Sequence, residues 1–149
     1  MSNTKKSSRH PPRLGALLRI ASQAMTQELA QWLAASEYSD LQPLHSAAIQ
    51  PLWEDPQGAR ITTLAQASHV TKQSMSVLVD TLVARGYVER VPDPDDARAV
   101  RVRLTQRGQA FGAAVRATSR RVEADWAERI GPERVAALID TLSLLRTKL

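Results

Sequence analysis

The fold of this chain is decided by the stretch ITTLAQASHVTKQSMSVLVDTLVARGYVERVPDPDDARAVRVRLTQRG, which runs from Ile61 to Gly108. Apolar residues recur at helical spacing on both sides of a short break at Ser68 and His69, so its first half predicts two short helices joined by a turn. The second helix is predicted to run from Thr71 to Arg85, because threonine caps helix N-termini and Gly86 favours a left-handed C-cap. Two helices connected in this way form a helix-turn-helix.

A capping residue is also expected at the start of the first short helix. Thr62 or Thr63 can accept the free N–H groups of its first turn, and the spacing of Thr63 and Gln66 fits a capping box. The first short helix is therefore predicted to begin after one of these threonines and to end at Ser68.

The second half of the deciding stretch predicts a β-hairpin. Tyr87–Val91 has the composition of a strand, Pro92–Ala97 has that of a turn, and Val100–Leu104 alternates strictly between apolar and basic residues. Such alternation is typical of a strand with one face on a core and the other in solvent. A hairpin directly after a helix-turn-helix makes the motif a winged one, in which a helix enters the major groove of DNA and the hairpin reaches the neighbouring backbone or minor groove.

The second helix of the motif carries a polar face opposite its apolar stripe. Lysine and glutamine can read guanine and adenine edges, serine can bind a base or a phosphate, and valine can touch a thymine methyl group. The candidate DNA-binding residues on this helix are Thr71, Lys72, Gln73, Ser74, Ser76 and Val77. A merely solvated helix face is the alternative, and the adjoining turn and hairpin favour DNA binding.

Longer helices are predicted on both sides of this motif. Arg13–Tyr38 has a broad apolar face at helical spacing, and a second helix is expected over Leu41–Pro51. Thr105 opens another long helix, which Gly131-Pro132 breaks before a leucine-rich helix that continues to Leu149. The predicted fold class is therefore mainly α, with a small β-hairpin wing.

Composition favours a polyanionic partner and excludes cysteine chemistry. The chain has 149 residues, the length of one domain, with a formal net charge of +5 and an isoelectric point near 10.2. It has no cysteine, which rules out disulfides, thiolate metal sites and thiol redox sensing. Residues 1–12 contain basic but no acidic residues and predict a flexible basic arm. Because the sequence shows neither a signal peptide nor a membrane-spanning run, we expect a cytoplasmic protein.

Motifs for catalysis and for metal binding are missing from the sequence. It contains no P-loop, no G-x-G-x-x-G, no G-x-S-x-G and no H-E-x-x-H. The three histidines, His10, His45 and His69, are too scattered to predict a metal site, and the aspartates of the hairpin turn do not fit a calcium loop. We therefore expect no enzyme activity, no cofactor and no metal.

A specific family pattern lies in the wing. Asp96-Ala97-Arg98, followed by Leu104-Thr105, resembles the wing signature of the MarR family of bacterial winged helix-turn-helix transcriptional regulators. The resemblance implies a homodimer that binds pseudopalindromic double-stranded DNA, usually as a repressor. It further implies a single domain over residues 13–149, in which 13–51 and 105–149 form the dimerisation body and 61–104 the winged helix-turn-helix.

The resemblance also assigns roles to residues of the wing. Arg98 would enter the minor groove, and Asp96 would orient the wing and its arginine rather than touch DNA. Arg101 and Arg103 are further candidates for DNA binding, with a solvated strand face as the equal alternative. Arg90 could bind phosphate or pair with Glu89 or Asp80. Three acids in one DNA-facing turn would repel phosphate, so at least one of them is expected to be paired internally. These acids are Asp93, Asp95 and Asp96.

Members of this family often bind small aromatic or anionic ligands between the dimer body and the DNA-binding lobe, which implies relief of operator binding by an effector. The residues expected to line such a cleft here are Trp32, Tyr38, His45, Trp53 and Arg85. Packing in a core or interface is the alternative for the aromatic residues. Two other functions remain open: an architectural or silencing DNA-binding protein without an effector, and a winged helix used for protein association.

Overall fold

The computed structural model describes residues 13–148, so the predicted basic arm at residues 1–12 lies outside the described residues. The chain forms six helices and three strands over this range, with a short 3₁₀ turn at Gln50–Trp53. Their bounds are α1 Leu14–Ala34, α2 Pro43–Ile49, β1 Ala59–Arg60, α3 Ile61–Ala67, α4 Lys72–Ala84, β2 Val88–Asp93, β3 Asp96–Leu104, α5 Gln106–Ile130 and α6 Pro132–Arg146. The fold is mainly helical with one small antiparallel sheet, as the sequence predicted.

The second helix of the helix-turn-helix, α4, has the predicted caps. Thr71 is its N-cap, and the Thr71 hydroxyl oxygen accepts the backbone N–H of Ser74 at 3.1 Å. Gly86 has a φ of 75°, the left-handed conformation that glycine adopts without a steric penalty. The chain therefore leaves the helix sharply and enters Tyr87 and the wing.

The predicted cap of the first short helix is wrong. α3 begins at Ile61 with Arg60 as the N-cap residue, and no side chain there caps the helix. Thr62 and Thr63 lie inside its first turn. The physical reason is that Arg60 ends a strand: its backbone is extended, with φ −69° and ψ 150°, and it passes directly into the helix.

The wing is longer than predicted and contains a third strand. β2 and β3 extend close to the turn, and β1 pairs antiparallel with β3 to give the order β1-β3-β2. A strand of two residues has no periodicity to detect, which is why the sequence did not predict β1. Gly58 permits the contact, since a Cβ at this position would stand 2.3 Å from the carbonyl oxygen of Val102.

An aromatic core joins the helix-turn-helix to the long helices. Tyr38, Tyr87 and Phe111 are buried with their ring centroids 5.1 to 6.3 Å apart. The Tyr87 hydroxyl donates to Asp40 Oδ1 at 2.8 Å, and desolvation, followed by this hydrogen bond, raises the pKa of Tyr87 to about 12. α1 ends at Ala34, four residues before its predicted end, because Tyr38 turns into this core instead of continuing the helix.

Large apolar side chains are exposed on three of the long helices, α1, α5 and α6. Those on α1, at the end of α5 and on α6 are Leu14, Leu17, Ile20, Ile130, Leu138, Ile139, Leu142, Leu144 and Leu145. Monomeric proteins rarely expose large contiguous apolar patches. Within residues 13–148, none of the helices has the length and apolar character needed to cross a membrane.

Candidate nucleic-acid interface

The recognition helix α4 has one buried face and one open face. Met75, Val79 and Leu82 are fully buried, which fixes the orientation of the helix in the lobe. Lys72 and Gln73 are exposed in its first turn. Val77 follows on the same open side and is 61% exposed, an unusual position for a large apolar residue. The open face thus combines hydrogen-bonding groups with one apolar contact, which is the chemistry that reads base edges.

Two residues predicted to contact DNA, Thr71 and Ser74, form the N-terminal cap of this helix. The Thr71 hydroxyl accepts the Ser74 backbone N–H at 3.1 Å and donates to the Ser74 hydroxyl at 2.9 Å. Ser76 is half-buried. These bonds order the first turn of α4, so Thr71 and Ser74 shape the helix end that carries Lys72 and Gln73.

The arginines of the wing differ in their partners. Arg103 pairs with Glu89 across the hairpin at 2.7 Å, and Arg101 pairs with Asp95 at 2.9 Å. Arg98 is exposed, and no carboxylate of the described residues 13–148 lies within ion-pair distance of it. Of these three predicted DNA-binding arginines, Arg98 is therefore the one whose charge no carboxylate of the described residues neutralises.

The acids of the turn are paired internally, which meets the electrostatic expectation. The Asp93 side chain is fully buried, with Oδ2 accepting from Arg60 Nε at 2.6 Å. Arg101 Nε lies 3.2 Å from the same oxygen, at ion-pair distance but without the alignment of a hydrogen bond. The bond from Arg60, supported by the backbone N–H of Asp95, holds the pKa of Asp93 at about 2, well below its ordinary 3.8. Asp93 therefore stays ionised and paired at neutral pH.

Asp96 lies where it can orient the wing. Its Oδ1 accepts the backbone N–H of Arg98 at 3.0 Å, and its Oδ2 lies 3.7 Å from Arg60 Nη2. Arg90 pairs with Asp80 of α4 at 2.5 Å, which decides between the partners that the sequence left open. The sequence did not single out Arg60, because its acidic partner stands 33 positions away in the chain.

The residues predicted to line a ligand cleft are not all available for one. Tyr38 is buried in the aromatic core, and half-buried Trp32 packs against it with the ring centroids 5.8 Å apart. The His45 Nδ1 accepts the backbone N–H of Gln42 at 3.0 Å as part of a capping box at the start of α2. Burial, and then the charge of Arg85, lower the pKa of His45, so the ring is neutral at pH 7. Arg85 itself donates to the backbone carbonyl of Asp40.

Trp53 lines an open cleft of about 390 Å³ at the start of α5. The guanidinium of Arg116 lies 5.1 Å from the Trp53 ring centroid, within the range of a cation–π interaction. Leu52, Leu104 and Gln109 complete most of the lining. Arg116 was missed by the sequence reasoning because nothing along the chain connects it with Trp53.

Comparison with known proteins agrees with this architecture. A profile of the MarR family matches residues 40–99, which include the helix-turn-helix and most of the wing turn. The Multiple antibiotic resistance protein MarR of Escherichia coli (strain K12) is 30% identical over 104 residues. The chain is therefore similar to the MarR family over its helix-turn-helix and wing. The aligned region covers 66% of this chain and 65% of the length of the E. coli protein, so the chain spans slightly less than two thirds of that relative.

Solved structures of MarR-family proteins share the fold. The crystal structure of the reduced form of MarR from E. coli has a TM-score of 0.79 at 22% identity, and the match covers 92% of this chain and 98% of that one. FabT of Streptococcus pneumoniae, solved in complex with DNA, has a TM-score of 0.76 at 18% identity, with 91% and 94% covered. At these identities the likeness concerns the fold alone.

Proposed function

We propose that this protein is a homodimeric, sequence-specific transcriptional regulator of the MarR family, acting in the cytoplasm as a repressor. The observation that carries the proposal is the open face of α4 beside a wing in which Arg98 has no carboxylate partner among the described residues. Lys72, Gln73 and Val77 project from a helix end that the Thr71 cap holds in place. The major groove, about 12 Å wide, admits one such helix, and the wing then faces the adjoining backbone.

A homodimer is supported by the exposed apolar side chains of α1, α5 and α6. The ends that carry them, at residues 14–20 and 130–145, belong to the long helices and not to the winged lobe. Burial of such apolar surface is favourable by about 25 cal/mol per Å², and this free energy would drive association. A two-fold dimer presents two copies of α4, which require half-sites about one helical turn, roughly 34 Å, apart.

The test is selection of the purified protein against random duplex DNA at moderate salt, followed by sequencing of the bound fraction. The proposal expects a pseudopalindrome with half-site centres about 10 bp apart. Enrichment of AT-rich DNA without a motif, together with steep salt dependence, would instead support the architectural alternative. Absence of enrichment would overturn the proposal in favour of protein association.

Gln73→Ala tests direct reading of bases. We expect relaxed preference at one or two positions of each half-site, with a loss of about 1 to 3 kcal/mol on the selected sequence, because glutamine forms paired hydrogen bonds with adenine. The measurement is a repeat of the selection with the variant. Lys72→Ala is the comparison: if lysine contacts phosphate, its loss lowers affinity evenly across sequences. An even loss for Gln73→Ala would reassign that residue to phosphate contact.

We infer that a small anionic aromatic ligand relieves DNA binding by occupying the cleft beside Trp53. The cleft combines an aromatic face, apolar walls and the Arg116 guanidinium, and its volume suits a small ligand. It lies between the 3₁₀ turn, the end of β3 and the start of α5, where an occupant would contact both the winged lobe and a helix of the body. A ligand there shifts DNA affinity only as far as it binds the two arrangements of the lobes differently.

Arg116→Ala tests this cleft with benzoate as the probe. In the wild-type protein, benzoate is expected to quench tryptophan fluorescence and to weaken duplex binding. The variant should bind benzoate at least about fivefold more weakly, because a charge-assisted contact with the carboxylate is lost. Arg120→Ala, one helical turn further along α5 and outside the cleft, is the matched control and should bind benzoate normally. Equal quenching in all three proteins would place the anion elsewhere.

A further inference from the structure

The base of the wing contains two arginines that stand side by side. Arg60 of β1 and Arg101 of β3 are directly opposite each other in the strand ladder. Residues opposite one another project from the same face of a sheet, and two like charges in that position repel. The Asp93 carboxylate lies between them, 2.6 Å from Arg60 Nε and 3.2 Å from Arg101 Nε. One buried carboxylate therefore lies within ion-pair distance of both neighbouring cations.

The carboxylate between the two arginines is buried, whereas both guanidinium groups are partly exposed. The Asp93 side chain has no exposed surface, whereas Arg60 and Arg101 retain 44% and 22% of theirs. Its second oxygen, Oδ1, accepts the backbone N–H of Asp95 at 3.0 Å. A buried carboxylate with both oxygens in use is costly to leave without its cations, so the three residues are held together.

The same residues lead to the tip of the wing. Arg60 also reaches Asp96, whose Oδ2 lies 3.7 Å from Arg60 Nη2. The other oxygen of Asp96 accepts the backbone N–H of Arg98 at 3.0 Å. A continuous series of ion pairs and hydrogen bonds thus connects strand β1, at the foot of α3, with the backbone of the exposed arginine.

We propose that Asp93 is a positioning residue for DNA binding, which fastens the wing to β1 through Arg60 and Arg101 and thereby fixes the direction in which Arg98 projects. The inference rests on the proposed DNA-binding function. In this arrangement Arg60 and Arg101 act as internal counterions, so Arg101 does not serve as the phosphate contact that the sequence suggested. The low pKa of Asp93 is consistent with this role, since the carboxylate remains charged over the whole physiological range.

Asp93→Asn is the decisive variant, because electrostatics and positioning predict opposite results. Removal of a negative charge near phosphate should tighten DNA binding, whereas release of the wing should weaken it. We expect the Kd for the selected duplex to rise about tenfold. Asp95→Asn is the matched control: it removes the same charge from the same turn and the exposed partner of Arg101, but it leaves the Asp93 carboxylate beside both arginines, and its backbone N–H can still donate to Asp93. That control is expected to bind DNA equally well or more tightly.

A double-mutant cycle with Arg98 separates positioning from general destabilisation. If Asp93 acts through Arg98, Asp93→Asn should cost little further affinity in an Arg98→Ala background. Losses that multiply in the double variant, or tighter binding by Asp93→Asn alone, would overturn the proposal. Urea unfolding of each variant shows whether it is folded under the assay conditions.

Hydrogen exchange tests the wing in the absence of DNA. Its result therefore does not depend on whether the protein binds DNA. In the free protein, amides of residues 95–100 should exchange faster in Asp93→Asn than in the wild type, while those of α4 stay unchanged. Because Asp93 has a lowered pKa, its contribution is present above pH 3.8 and is lost as the pH falls through about 2. Unchanged exchange in residues 95–100 at neutral pH would refute the role of Asp93, whether or not the wild type binds DNA.

Discussion

Arg98→Ala is expected to weaken binding of the selected duplex by about 1 to 3 kcal/mol while leaving the dimer intact. The side chain is exposed, and no described carboxylate pairs with it, so its removal leaves no buried charge behind. An arginine that enters a narrow minor groove loses a favourable contact with strong negative potential when it is truncated. Fluorescence anisotropy at fixed salt measures the affinity, and analytical ultracentrifugation measures the oligomeric state.

Arg103→Ala is the comparison for this prediction. It removes the same charge from the same strand, but Arg103 is already paired with Glu89 at 2.7 Å. We expect a loss clearly smaller than that of Arg98→Ala. If the two variants lose affinity equally, net charge alone determines binding and the special role of Arg98 is refuted. Dissociation of Arg98→Ala into monomers would make the residue structural.

Gly108→Ala is expected to lower the free energy of unfolding by about 3 kcal/mol. Gly108 lies in the first turn of α5, and a Cβ there would stand 2.0 Å from the carbonyl oxygen of Tyr87. That carbonyl belongs to buried backbone and already accepts from the backbone N–H of Thr105 at 3.1 Å, so it cannot move aside easily. The clash would separate α5 from the winged lobe.

Gly15→Ala is the matched control for this change. Gly15 lies in α1, and a Cβ at this position meets no atom of its own subunit within 4 Å. The same substitution should therefore raise stability there by about 0.5 to 1 kcal/mol, because alanine favours the helix. Urea unfolding followed by tryptophan fluorescence, at one protein concentration throughout, measures both variants. An unfolding midpoint for Gly108→Ala at or above that of the wild type would contradict the close approach of α5 to Tyr87.

The helix-turn-helix could be predicted from the sequence because its determinants are local. Apolar spacing defines the buried face of α4, while Thr71 and Gly86 mark its two ends. The wing was predicted only in part. Its alternating strand β3 was found, but β1 consists of Ala59 and Arg60 alone, and a pattern of two residues carries no period.

The candidate site shows the same division. The exposure of Lys72, Gln73 and Val77 agrees with their predicted position opposite the apolar stripe. The set proposed for a ligand cleft was selected by residue type, and the structure divides it: Tyr38 fills the core, whereas Trp53 lines an open cleft. Whether an aromatic residue packs or binds depends on neighbours that are distant in the chain, as Arg116 is from Trp53.

By itself the sequence determined the fold class, the recognition helix and the family resemblance, since each depends on spacing within a few turns of chain. Only the tertiary structure decided which charges are free and which are neutralised. Residue type alone does not distinguish the charges of Arg98, Arg101 and Arg103. Asp95 and Glu89 neutralise the last two, whereas no described carboxylate pairs with Arg98. The physical reason is that an ion pair requires two groups within about 4 Å. For residues as far apart in the chain as Arg60 and Asp93, that distance is set by the packing of strands and not by the order of residues.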